Sequence, residues 1–404
     1  MRKKTLISIL IISSSLLMNS SVSKKISKKI IVASSGKIES LDPARANTLK
    51  AIQLISSLGD TLYELNSDGD LIPELASGMP LISKDRLQVT INLRKNVLFH
   101  DGTPFNSDSI KFTFERFKRI GTLNYILGDK IESIETPSEY KVIINLKKPS
   151  SSLNGLLTSV NLTPISPTFY KEYSDKFLND KFVGTGKYVL NSFSNEFQSI
   201  DPNLDYWGKK PLNEGINFVG YSNSSSLFGA LKSNQIDVLL SNSIDDSQRN
   251  SLKILSNNNS FKEGNSPFTE LSFISLRTNV YPLNNPNLRL ALAKSLNRKL
   301  ISEKVSYGLR KPTRSIIPPI LKKDNQNLWP KYDYLEARKL LQKENYCNGN
   351  ILKIPLTYRS NVPADKLIAL TWQEEIKNEL KDCIDIELNG VESTTVYKNL
   401  SLGI

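Results

Sequence analysis

One histidine, His100, and two cysteines, Cys347 and Cys383, are the whole supply of imidazole and thiol in a chain of 404 residues. A Ser-His-Asp or Cys-His engine therefore has a single residue on which to be built. His100 stands beside the Asp101-Gly102 turn and reads as a surface residue rather than a catalyst. The carboxylate pairs Asp245-Asp246 and Glu374-Glu375 read as charges on helix surfaces. No Cys-x-x-Cys spacing or Cys/His cluster exists, which argues against structural zinc. Asn66-Ser67-Asp68-Gly69-Asp70 superficially suggests a calcium loop, yet it lacks the ligand spacing and the closing glutamate, so a hairpin turn fits better. Gly184-Thr185-Gly186-Lys187 has one residue between its glycines, and Tyr188 stands where a phosphate loop needs Ser or Thr. The chain thus reads as a non-enzyme without cofactor or metal. The rival class is an exported peptide hydrolase, whose turnover would depend on His100.

Behind these residues lies an alternation of strands and helices. Leu87, Val89, Ile91 and Leu93 alternate with Gln88, Thr90 and Asn92, the period of a strand with one buried face. Asp101-Gly102 supplies a turn that Pro104 stiffens. Asn106 or Ser107 can then cap a helix with Asp108 in its first turn and Ile110, Phe114 and Phe117 on one face. Further expected elements are a first strand at Lys29–Ala33, a helix at about Thr48–Leu58, a hairpin turned at Asp68-Gly69, and a strand from Tyr140 to Leu146. Towards the C-terminus come a strand at Leu271–Leu276 and a helix opened by Pro286 that carries Leu288, Leu292, Leu296 and Leu300. Cys347 and Cys383 flank a strand (Ile351–Tyr358) and a helix (Ala364–Leu380). The chain could return close enough to bridge them, the alternative being two separate buried thiols.

A chain of this length implies two or more domains, and 39% hydrophobic residues suffice for sizeable cores. The excess of 53 Lys and Arg over 40 Asp and Glu would suit an anionic partner. The basic residues are nevertheless scattered, with no stripe interleaved with aromatics, so nucleic acid is not an expected partner. The N-terminus reads as an export signal over residues 1–23: Arg2, Lys3 and Lys4, an apolar run from Leu6 to Met18, and small residues at Ser21 and Ser23 for cleavage after Ser23. No cysteine lies nearby for a lipid anchor, and the alternative is an uncleaved anchor helix. Export would place the cysteines in an oxidising compartment.

Residues 71–117 run from Pro73-Glu74-Leu75-Ala76 through the strand and the Asp101-Gly102-Thr103-Pro104 turn to the capped helix. This order resembles the signature region of the family 5 extracellular solute-binding proteins. The resemblance extends to Leu41-Asp42-Pro43, Pro164-Ile165-Ser166-Pro167, Gly184-Thr185-Gly186-Lys187-Tyr188, Asp205-Tyr206-Trp207 and the phrase Leu231 to Asp237, in which Asn234 or Gln235 replaces the usual glycine. It continues through Arg289, Ala291, Ala293, Asn297-Arg298 and Ile317-Pro318-Pro319, covering about residues 30 to 400.

The resemblance implies an α/β, periplasmic-binding-protein type II-like fold of two lobes with a small domain inserted in the first. Residues 24–46 and 171–269 would form the first lobe, 47–170 the inserted domain, and 270–404 an incomplete second lobe. It implies a monomeric periplasmic receptor that captures di- or oligopeptides and hands them to the membrane permease subunits of an ABC importer; nickel chelates or glycans are alternative ligands. Ligand contacts are expected from Ala46, Asn47, Thr48 and Leu49 in the first lobe, and from Ser272, Phe273, Ser275 and Arg277 on the strand entering the second. The family's Trp-x-x-Asp-Tyr phrase is not reached before Ser401-Leu402-Gly403-Ile404, so a fragment or truncated product is expected, lacking the rest of the second lobe and its return strand.

Overall fold

A computed structural model describes residues 29–46, 48–150, 152–240, 243–257, 261–264, 271–317 and 328–402. The expected leader lies outside them. Strands are β1 (Ile30–Ser35), β2 (Tyr63–Leu65), β3 (Leu71–Pro73), β4 (Leu81–Ile82), β5 (Gln88–Asn92), β6 (Ile131–Ser138), β7 (Lys141–Leu146), β8 (Tyr188–Phe193), β9 (Phe197–Pro202), β10 (Ile216–Tyr221), β11 (Val238–Leu239), β12 (Leu352–Arg359) and β13 (Ile384–Val391). Helices are α1 (Leu49–Leu58), α2 (Ser107–Ile120), α3 (Asn124–Leu127), α4 (Leu153–Leu157), α5 (Pro167–Tyr170), α6 (Ser224–Lys232), α7 (Asp246–Asn257), α8 (Pro286–Ser295), α9 (Arg298–Ser306), α10 (Tyr334–Lys343), α11 (Pro363–Glu379) and α12 (Ser393–Ser401).

The main sheet has the order β11-β1-β10-β9-β8. Its strand β1 is parallel to both neighbours, while β9 turns antiparallel to β10 and β8 to β9. On one side α1 buries Ala51, Leu54, Ile55 and Leu58 in a core shared with Ile165, Tyr170 and Ile200. Elsewhere α6 buries Leu227, Ala230 and Leu231 with Ala33 of β1. Packing thus places α1 against the main sheet. The reason is the apolar face of α1, which buries Ala51, Leu54, Ile55 and Leu58. Asn234 ends the turn after α6 with φ 56°, the left-handed conformation for which asparagine substitutes for glycine.

The second sheet, β4-β5-β7-β6, is covered by α2. Asn106 accepts from the Ser109 amide and Ser109 Oγ reaches back, a reciprocal cap that fixes the helix start. From it Ile110, Phe114 and Phe117 pack on Val89, Ile91, Val142 and Ile144, each fully buried side chain stabilising by about 1.5–3 kcal/mol before entropy. The β2–β3 hairpin turns where Asn66 Oδ1 accepts from the amides of Asp68 and Asp70, at 2.9 and 2.8 Å, so this carboxamide folds the turn.

The third core gathers α8, α10 and α11 with the parallel pair β12–β13. Cys347 and Cys383 are joined in a disulfide within it. The strand expected at Leu271–Leu276 does not form among the described residues. Ile274 and Leu276 turn into this core while Phe273, Ser275 and Arg277 face out, so the alternation exists. A strand also needs a hydrogen-bonding neighbour, however, and the pairing described for β12 is with β13 alone. Among the described residues no helix is long and apolar enough to cross a membrane.

Candidate functional site

The loop that leads into α1 is fastened from below by a buried ion pair. Arg116, from α2, donates Nη1 to Asp42 Oδ1 at 2.9 Å and Nη2 to Asp42 Oδ2 at 2.5 Å, and both side chains are almost wholly shielded from solvent. Its remaining donors reach the carbonyls of Tyr173 and Lys176. Asp42 also accepts from the amides of Ala44 and Leu178. A bidentate guanidinium–carboxylate pair with every other lone pair satisfied is the arrangement in which a buried charge is tolerated. Above it, Asn161 Nδ2 donates to the carbonyls of Pro43 and Ala46, and Thr122 donates its amide to Ala44 O. The Leu-Asp-Pro phrase is therefore an anchor.

Of the four contacts expected here, Ala46 is 1% exposed and spends its amide on Pro43 O and its carbonyl on Asn161. It holds the loop. Asn47 lies outside the described residues. Thr48 caps α1 through Oγ1, and it and Leu49 are exposed at the helix start. Ser272, Phe273, Ser275 and Arg277 are likewise exposed, with Phe273 at 63%. Among the described residues no hydrogen bond or ion pair joins the two groups. Together they offer an exposed helix N-terminus, hydroxyls, one aromatic ring and one guanidinium: chemistry for binding extended polar ligands.

Near the start of α1, Lys50 and Gln53 face the carboxyl ends of β1 and β10, beside Gly36 and Gly220. In open α/β sheets this end of the strands is where ligands settle. Burial lowers the pKa of the Lys50 ammonium.

Behind α1 lies a buried polar junction. Asp60 accepts from Trp207 Nε1 at 2.9 Å, Thr185 Oγ1 at 2.9 Å and Tyr206 OH at 3.1 Å. Burial raises its pKa against these donors. Glu74 accepts from the Thr61 amide, and its pKa is pushed up to about 9 by burial, by a hydrogen bond with Glu64 and by the neighbouring Asp60 charge. Arg94 lies over the Trp207 ring. The Asp-Tyr-Trp phrase thus joins the β2–β3 hairpin to the main-sheet core.

His100 is not the surface residue expected. Its Nε2 meets Gly186 O at 3.1 Å, its Nδ1 is buried without a hydrogen-bond partner among the described residues, and burial lowers its pKa. The Gly184–Gly186 segment that leads into β8 packs beside it, which no local pattern could indicate. Among the described residues the ring's one hydrogen-bond partner is the Gly186 carbonyl, which is not a nucleophile. Asp246 is also corrected. Far from a surface charge, it is 1% exposed and held by Arg249 at 3.1 Å and Arg310 at 2.9 Å, which ties α7 to the end of α9. Sequence reasoning missed Arg116, Lys50 and Arg310. For Arg116 the one signal was its position at the margin of the apolar stripe of α2, beside Phe117.

The family model for bacterial extracellular solute-binding proteins, family 5 Middle, matches residues 70–402. The glutathione-binding protein GsiB of Escherichia coli O6:K15:H31 (strain 536 / UPEC) is 26% identical over 352 residues, 86% of this chain and 67% of that protein. Among solved structures, DppA from Helicobacter pylori in complex with the peptide STSA superposes with a TM-score of 0.77 at 23% identity, covering 93% of this chain and 76% of the other. AgaA from A.tumefacien R10 in complex with agropinic acid gives 0.78 at 22% identity, covering 93% and 75%. These likenesses establish the fold as that of the type II periplasmic binding proteins.

Proposed function

This chain belongs to the bacterial extracellular solute-binding proteins of family 5, and from that membership we propose that it captures short peptides outside the cytoplasmic membrane for an ABC importer. The observation that carries the reading is the exposed start of α1, with Thr48 and Leu49 open to solvent above a loop that Asp42, Arg116 and Asn161 fasten. A rigid platform lowers the ordering cost of binding. Main-chain recognition of an extended peptide tolerates varied side chains, and the glutathione-binding and peptide-bound relatives fit that chemistry. The agropinic acid complex is the observation that favours a non-peptide ligand as second reading.

In this reading the main-sheet core is one lobe, residues 270–404 belong to the other, and the α2 sheet is the inserted domain. Delivery would be to membrane permease subunits, by a monomer exported through its leader and cleaved after Ser23. No step of chemistry on the ligand is part of the function. Calorimetric titration with a di-, tri- and tetrapeptide series, glutathione and agropinic acid tests it, with mass analysis of recovered ligand. Saturable binding of at least one peptide, returned intact, is expected. Binding of agropinic acid alone, or peptide cleavage that disappears in His100→Gln, overturns it.

A further inference from the structure

A small cavity of about 10 Å³, roughly room for one water, sits where the carboxyl ends of β1 and β10 meet the first turn of α1. Lys50 and Gln53, three apart and so on one helix face, line it with Gly36, Phe218 and Gly220. The glycines are needed there. A side chain at Gly36 would put its Cβ 2.7 Å from Lys50 Nζ, at a backbone φ of 80° that already favours glycine.

Two features of this corner are electrostatically unfinished. Lys50 lies in the first turn of α1, where the helix dipole is positive and no acidic residue is present to balance it. Lys37, next to Gly36 in the chain, has a carboxylate partner in Glu196, whereas Lys50 has no ion pair among the described residues. The ammonium is half-buried besides, and desolvation works against its charge. Meanwhile Gln53 Oε1 is buried and accepts no hydrogen bond among the described residues. An uncompensated cation, a positive helix end and an idle acceptor together favour an anion carried in from outside.

Resting on the peptide reading above, we propose that Lys50 is the specificity residue for the ligand's terminal carboxylate. The carboxylate accepts from Lys50 Nζ beside the exposed start of α1. A water in the cavity donates one proton to Gln53 Oε1 and the other to the carboxylate, so both idle groups are satisfied at once. The site selects free acids over amides or esters of the same peptide, since a neutral terminus leaves Lys50 partly desolvated without a partner.

The test is titration of matched peptides differing only in a C-terminal carboxylate or carboxamide, against wild type, Lys50→Met and Lys50→Arg. Thermal melts check folding in each case. Wild type should bind the acid at least about tenfold more tightly than the amide. Lys50→Met should bring that ratio close to one, and Lys50→Arg should restore most of it. An unchanged ratio in Lys50→Met, or no preference in wild type, refutes the assignment while the peptide reading stands. Failure of wild type to bind either form refutes the peptide reading, and this assignment with it.

Discussion

Replacing Arg116 by Met should be among the most damaging single changes in this protein. The substitution keeps the apolar stem and deletes a guanidinium that makes four hydrogen bonds, two to Asp42 and one each to Tyr173 O and Lys176 O. Asp42 would then hold its charge with two backbone amides alone. Breaking a buried pair from one side costs about 3–5 kcal/mol, because the remaining charge is desolvated and unmatched. The two orphaned carbonyls push the cost to the upper end of that range. At about 2–4 °C per kcal/mol for a unit of 150–250 residues, the melting temperature of the affected transition should fall by roughly 6–20 °C. Urea unfolding followed by tryptophan fluorescence measures the loss. Adding Asp42→Asn to Arg116→Met removes the stranded charge, so the double variant should recover about 2 kcal/mol relative to Arg116→Met alone. A loss below 1 kcal/mol for Arg116→Met, or a double variant that simply sums the singles, would refute the view that this pair fastens the loop.

Three further outcomes are expected. Reducing the Cys347–Cys383 bridge, which spans 36 residues, should cost about 3–4 kcal/mol in the transition of the third core; intact mass under native alkylation should show both thiols masked, and free alkylation of both would contradict the bridge. Glu74 keeps its proton in the folded state to about pH 9, whereas the unfolded chain releases it near pH 4.3, so its contribution is fully present below that lower value and is lost as pH rises towards 9. Glu74→Gln should therefore flatten the decline in stability between pH 5 and 8.5, and superimposable pH profiles for variant and wild type would count against a protonated Glu74. Gly186→Ala would place a Cβ 2.3 Å from the Leu58 carbonyl carbon and 2.5 Å from the Gly59 nitrogen, both backbone atoms that cannot yield cheaply; a drop of at least about 2 kcal/mol in chemical denaturation is expected, and a neutral effect would show that the contact relaxes.

Much of the architecture was legible because it is local. The alternation at Val89 and Ile91, the Asn106 cap and the Phe114–Phe117 face specify a strand, a turn and a helix through interactions that reach no further than a few residues, and all three form. The hairpin at Asn66 and the left-handed turn at Asn234 belong to the same class. Segment 271–277 marks the boundary of that reasoning. Its side chains alternate as a strand requires, but a ladder is a property of two segments, and periodicity in one cannot supply the other. The candidate site was legible only in outline. The phrase Leu41-Asp42-Pro43 marks a loop that Arg116 and Asn161 fasten, and Ala46 within it is sealed by Asn161, which lies far away in sequence. His100 and Asp246 looked like surface residues because their burial comes from Gly186 and Arg310, brought near by the fold. Sequence alone determined which residue types were available and which short elements they would form. Tertiary structure decided which charges found partners, since desolvation and Coulomb attraction depend on distances between segments that chain order does not encode, and so it decided that Asp42 is matched and that Lys50 is left without an ion pair among the described residues.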